Sequence, residues 1–144
     1  MDEHVPVLYD EILFYLQPRP GGKYIDGTVG AGGHSAGLLE LSAPAGRLLG
    51  LDRDKEAIAF ARKRLADAGE RVTLQQANYA EMLRLASQYG FTAVDGILLD
   101  LGLSSRQLNA ANRGFSFRQE GPLDMRFDAT QGATAAELLN TMDE

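Results

Sequence analysis

Four short apolar runs, each separated from the next by a stretch with helical spacing, constrain this chain more than any other feature. The runs are "KYIDG" (23–27), "GRLLGLD" (46–52), "RVTLQQA" (71–77) and "AVDGILLDLG" (93–102). Between them lie "HSAGLLELS" (34–42), "RDKEAIAFARKRLADAG" (53–69) and "AEMLRLASQY" (80–89). In the second of these, Ala57, Ile58, Ala61 and Leu65 share one helical face and Glu56, Lys63 and Asp67 another, with Gly69 placed to cap the end. Strand and helix in this alternation predict an α/β fold: a doubly wound, mostly parallel sheet with right-handed crossovers. The fourth run reads as a strand buried on both faces, and "PVLYDEILFYL" (6–16) as a helix packed ahead of the first strand. Four strands make half of such a sheet.

At 144 residues the chain is the size of one domain. No apolar run reaches the roughly 18 residues of a membrane helix. The N-terminal "MDEHVPVLYDE" is acidic where a secretory signal would be basic, so no targeting segment is expected. There is no cysteine, which excludes disulfides and cysteine ligands or nucleophiles within this chain and fits a cytoplasmic setting. The net charge of -6 argues against a dedicated nucleic-acid-binding module, though not against an enzyme with local contacts to nucleic acid.

The first apolar run leads into "YIDGTVGAGGHS", with Gly27, Gly30, Gly32 and Gly33 inside seven positions. Such a loop brings backbone close to a ligand. A nucleoside triphosphate loop would end in Gly-Lys-Ser/Thr. Here the end is Gly33-His34-Ser35, and no Lys or Arg occurs from 24 to 46. A dinucleotide loop is half matched, by Gly30 and Gly32, and Asp52 stands 22 residues after Gly30, where a ribose-binding acid is expected. Asp26 separates these options. A carboxylate just before the loop would repel a pyrophosphate and favour a cation, by roughly 1–4 kcal/mol at short range. S-adenosylmethionine has an ammonium, a sulfonium and no phosphate. Asp100, at the end of the fourth run, adds a carboxylate on the same sheet edge. Asp26, Asp52 and Asp100 are therefore expected to converge on one crevice, although each also suits a turn or helix cap. His34 reads as a surface or capping residue, and no second histidine lies near it to make a metal site.

After Gly102 the alternation stops. Residues 103–132 are polar and read as an irregular functional loop, and 134–144 start a helix with Thr134 as N-cap. The organisation expected is a cofactor-binding half over 1–102, a substrate loop over 103–132, and the start of a helical insert over 133–144.

Taken together, "HVPVLYDEIL", "YIDGTVGAGGHS", "GLDRD", "VDGILLDLGLSSRQL", "RGFSF" and "GPLDMRFD" resemble the RsmH (MraW) family. These are S-adenosyl-L-methionine-dependent methyltransferases acting on N4 of a cytidine in 16S ribosomal RNA of the small ribosomal subunit. The resemblance implies a Rossmann-like class I methyltransferase fold. It implies cofactor contacts at Gly32, Gly33, His34, Asp52, Tyr79, Asp100 and Gln107, beside the Asp26 and Gly30 read from the loop itself. Tyr79 stands where family members commonly have Phe, Arg106 where Pro is frequent, and Phe127 where Met is. The family's chains are about twice as long, so this one reads as an N-terminal portion. Methyl transfer to an exocyclic amine needs acceptors for the amine's protons and no covalent nucleophile. Asp100 and the following "LGLSS" backbone are the expected lining of that site. Phe115 and Phe117 could stack on an extruded base and Arg113, Arg118 and Arg126 could meet phosphate, or the two Phe could anchor the loop. Two other readings stand beside this one. An NAD-dependent oxidoreductase keeps Asp52 but leaves Asp26 and "DLGLSS" unexplained. A non-catalytic cofactor-binding half could associate into a homo-oligomer through its exposed sheet edge.

Overall fold

The computed structural model describes residues 6–142. Residues 1–5 and 143–144, the ends of the expected N-terminal and C-terminal segments, lie outside it. The chain divides after Asp100 into two compact units.

The first unit is built on four parallel strands, β1 (Lys23–Asp26), β2 (Arg47–Asp52), β3 (Val72–Gln76) and β4 (Gly96–Leu98). Their spatial order is β3-β2-β1-β4. In register, Tyr24 lies beside Leu48 and Gly96, and Ile25 beside Leu49 and Ile97. Alternate residues of the central strands feed two cores. Tyr24 and Leu48 face α2 (Gly33–Leu41) and α3 (Lys55–Arg64), where Leu38, Leu39, Ile58, Ala61 and Leu65 are buried. Leu13 and Leu16 of α1 (Tyr9–Leu16) pack on the same cluster. Ile25, Leu49 and Leu51 face the other way, against Leu85 and Ala86 of α4 (Met82–Gln88) and against Phe91. Helices thus cover both faces, which is why β1 and β2 read as continuous apolar runs. Each fully buried Leu contributes about 2 kcal/mol of transfer free energy.

Three expectations need correction. The helix after β2 stops at Arg64 rather than reaching Gly69. A 3-10 segment, Ala66–Arg71, follows it, and Gly69 (φ +54°) bends that segment instead of capping α3. β4 is three residues long, so Asp100 lies beyond the strand. Nor is β4 buried on both faces: Ile97 is 49% exposed. β4 is the sheet's edge.

The second unit, from Leu101 onward, has more structure than its polar composition implies. It holds α5 (Ser105–Asn109), a 3-10 turn (Ala111–Arg113) and α6 (Ala135–Thr141). Both helices begin with reciprocal caps, Ser104 with Gln107 and Thr134 with Glu137. The expected Thr134 N-cap is therefore observed.

Candidate functional site

The sheet order reverses between β1 and β4, because the chain runs outward through β2 and β3 and then returns to the far side of β1. In open α/β sheets a ligand crevice forms at such a point, beyond the carboxyl ends of the strands. The glycine loop leaves β1 there.

That loop is hydrogen-bonded to both neighbouring strands in turn. The Gly27 amide donates to the Leu98 carbonyl (2.9 Å), and the Thr28 Oγ1 accepts from the Asp100 amide (2.7 Å), both toward β4. The Val29 amide donates to the Leu51 carbonyl (2.8 Å) and the Gly30 amide to Asp52 Oδ2 (2.9 Å), both toward β2. Gly30 (φ +52°) and Gly32 (φ +83°) carry the left-handed turns that let four successive residues bond in two directions. A side chain on Gly32 would press on Ala61 of α3 and on Leu65 just after it, so the glycine lets loop and helix close.

Asp26 points inward and is 1% exposed. Its Oδ1 accepts the Thr28 amide (3.1 Å) and its Oδ2 the Ser35 hydroxyl (2.7 Å). Burial pushes its carboxyl up to about 6, against the hydrogen bonds from Ser35 and Thr28 and the nearby His34, which favour the charged form. The carboxylate aimed at a cation by the sequence reading is thus spent on the loop's own geometry. Thr28 and Ser35 are the hydrogen-bond partners of Asp26 that the sequence reading did not identify. The Asp-Gly-Thr spacing, which is that of an Asx turn, was the available signal for Thr28.

Asp52 ends β2 at the crevice, partly exposed. Besides Gly30 it accepts the Asp54 amide on Oδ1 (2.9 Å), and burial raises its pKa above the ordinary carboxylate value. Asp54 in turn caps α3 by accepting from the Glu56 amide. Asp100 is exposed beyond β4, its amide held by Thr28. Tyr79, exposed in a 3-10 turn capped by Asn78, presents its Cβ close to Gly27. Gly27, Asp52, Tyr79 and Asp100 thus stand at or just beyond the carboxyl ends of β1, β2, β3 and β4. His34 is not on the surface. It is buried at the start of α2, bonds the Val7 carbonyl through Nε2 (2.9 Å), and stacks on Tyr9. A side chain on Gly33 would collide with Pro6, so Gly33 and His34 together seat the segment before α1.

In the second unit, Gln107 is buried and its Oε1 accepts the Ser104 amide (2.9 Å). Phe115 is buried against Phe127, with the Arg113 guanidinium over its ring. Arg113 also donates to the Phe127 carbonyl (2.8 Å) and the Arg126 carbonyl (3.3 Å). Arg126 is held two-pronged by Asp124 (2.8 Å at Nε and Nη2), and that pairing lowers the Asp124 carboxyl to about 2. Phe117 is 95% exposed, with the Arg118 guanidinium near its ring.

Comparison with known proteins shows the family. The model of the MraW methylase family matches residues 1–144. Ribosomal RNA small subunit methyltransferase H of Geotalea uraniireducens (strain Rf4) is 52% identical over 141 residues, 98% of this chain and 45% of its own length. The protein of the same name from Geotalea daltonii is 51% identical over 142 residues, 99% of this chain and 46% of its own. The chain thus spans slightly under half the length of these curated relatives. A crystal structure of a candidate rRNA-methylase from Clostridium thermocellum superposes with a TM-score of 0.58 at 30% identity, over 67% of this chain and 52% of that one. By its sequence blocks, its parallel sheet and its glycine loop at the reversal point, this chain belongs to the MraW methylase family.

Proposed function

We propose that this chain carries the cofactor half of an S-adenosyl-L-methionine-dependent methyltransferase that modifies N4 of a cytidine in 16S ribosomal RNA. The observation that carries the reading is the loop stitched between β1's two neighbours, with Asp52 and Asp100 at its flanks and no cationic side chain from 24 to 46. That donor set suits a nucleoside with a positive sulfonium and no phosphate. Asp52 is the partner for ribose hydroxyls, Tyr79 the aromatic beside the base, and Gly30, Gly32 and Gly33 the close backbone. Asp26 and His34 act by holding loop and N-terminal segment in place. Gln107 joins the cofactor residues on the family resemblance.

Bound S-adenosylmethionine supplies an electrophilic methyl group. The lone pair of a cytosine amine is delocalised into its ring and must be turned outward. Asp100, with the carbonyls of the "LGLSS" backbone, accepts hydrogen bonds from that amine and takes up its proton as the new bond forms. This chain itself carries no cysteine for the covalent route that carbon methylation of cytosine uses. Phe117 is the ring open to an extruded base, and Arg113, Phe115 and Arg126 build the loop that presents it.

The test is calorimetric titration of the chain with S-adenosylmethionine and with NAD, then methyl transfer to small-subunit RNA read by nucleoside mass spectrometry. Saturable binding of S-adenosylmethionine and formation of N4-methylcytidine are expected, with 5-methylcytidine or binding of NAD alone overturning the reading. A second reading follows from the chain's coverage of its relatives: a cofactor-binding half that binds but does not turn over. Binding without product, with a full-length curated relative active in the same assay, identifies that case. A ribosomal RNA substrate implies a cytoplasmic setting; no helix among the described residues is long and apolar enough to cross a membrane.

A further inference from the structure

Thr28 belongs to none of the groups assigned above to cofactor or substrate, yet its hydroxyl makes the link of longest sequence span in the crevice. The β1–β4 ladder ends at the pair Asp26 and Leu98. One more main-chain bond follows, from Gly27 to the Leu98 carbonyl. Beyond that the strands diverge, and the Thr28 Oγ1 accepts the Asp100 amide at 2.7 Å, across 72 residues. A side chain there supplies the acceptor that a main-chain carbonyl supplies within the ladder. Thr28 is itself fixed from below, because its amide donates to the buried Asp26 carboxylate. The chain of contacts runs from a carboxylate locked under the loop, through Thr28, to the backbone of the exposed residue that borders the crevice from the β4 side.

We infer that Thr28 is a positioning residue: it sets the height of the Asp100 backbone against the glycine loop and so holds the β4 wall of the crevice in register with the β1 and β2 walls. This rests on the cofactor reading above. Thr28 acts through the Asp100 backbone, which its hydroxyl holds. Valine has threonine's shape without the acceptor, and serine keeps the acceptor.

The test compares wild type, T28V and T28S in this chain by amide hydrogen exchange and by titration with S-adenosylmethionine. In T28V the Asp100 amide should exchange at least about tenfold faster while the Val29 and Gly30 amides keep their protection. Affinity for S-adenosylmethionine should fall by about three- to tenfold, the scale of one side-chain hydrogen bond. T28S should restore both. A T28V affinity within twofold of wild type, or a T28S that behaves as T28V does, overturns the inference. Should T28V fail to fold, T28A carries the same comparison. A wild-type chain that does not bind S-adenosylmethionine at all sinks the cofactor reading and this inference with it. A wild type that binds beside an unaffected T28V sinks this inference alone.

Discussion

The Gly30 amide donates to Asp52 Oδ2 at 2.9 Å, joining the glycine loop to the end of β2. Asp52 accepts a second amide, from Asp54, on its other oxygen. Asparagine can accept on one oxygen only and would turn its NH2 toward a backbone donor. Asp52→Asn is expected to cost about 1–3 kcal/mol of stability. It should also weaken S-adenosylmethionine at least about tenfold. Urea unfolding and calorimetric titration measure the two, and unchanged affinity would remove Asp52 from the site.

Asp26 sets a pH dependence of definite sign. Its carboxyl lies at about 6 in the folded chain against an ordinary 3.8, so the fold prefers the protonated form. The stabilisation from protonation is complete below about pH 3.8 and is lost as pH rises through 6. At about 1.4 kcal/mol for each tenfold difference in proton affinity, the loss amounts to about 3 kcal/mol. Asp26→Asn does not titrate. Between pH 4 and pH 7.5 the wild type should therefore lose stability relative to Asp26→Asn by about that amount in urea unfolding. A difference that stays flat with pH contradicts the burial of this carboxylate.

Two loop glycines should respond unequally to alanine. Both are left-handed, which costs an L-residue roughly 1–2 kcal/mol. A Cβ on Gly30 meets only the Thr28 carbonyl oxygen at 3.8 Å, whereas one on Gly32 comes within 3.3 Å of Leu65 and 3.4 Å of Ala61. G32A should therefore destabilise more than G30A in thermal unfolding. Equal losses would mean that the loop does not pack on α3 as described.

Phe115 and Phe117 should part company. Phe115 packs on Phe127 with ring centroids 5.3 Å apart, and its truncation to alanine should cost about 3 kcal/mol. Phe117 is almost wholly exposed, so F117A should leave stability within about 0.5 kcal/mol. Its effect should instead be on photo-crosslinking to small-subunit RNA, which should drop. Unchanged crosslinking in a folded F117A removes that ring from the RNA surface.

The sheet was legible because Tyr24, Ile25, Leu48, Leu49 and Leu51 form runs apolar on both faces, and only a strand covered on both sides needs that. The limits of β4 were not. Ile97 is as apolar as the central strands, but its place in the edge strand leaves it exposed, and residue type does not report which neighbours a strand will have. Asp26 was legible as the residue that sets the loop's character, and its direction was not. Whether a carboxylate turns toward solvent or toward Ser35 depends on the first turn of α2, nine residues on. His34 was misplaced for the same reason, since its partner Val7 lies 27 residues earlier. In the second unit the serine and threonine caps could be read from local spacing. The Arg113 bonds to the 126–127 carbonyls could not, because they join residues 13 and 14 positions apart.

The strand order has a consequence for how the molecule is made. β1 precedes the other three strands in the chain, yet it ends between β2 and β4 inside the sheet. Its loop gains the β2 partners about 22 residues later and the Asp100 partner only after 72. During synthesis, at a few to about 20 residues per second, the glycine segment thus spends several seconds tethered on one side only. The crevice is the last part of the first unit to close, and a slowed translation of residues 77–100 would prolong the interval in which its β4 wall is absent.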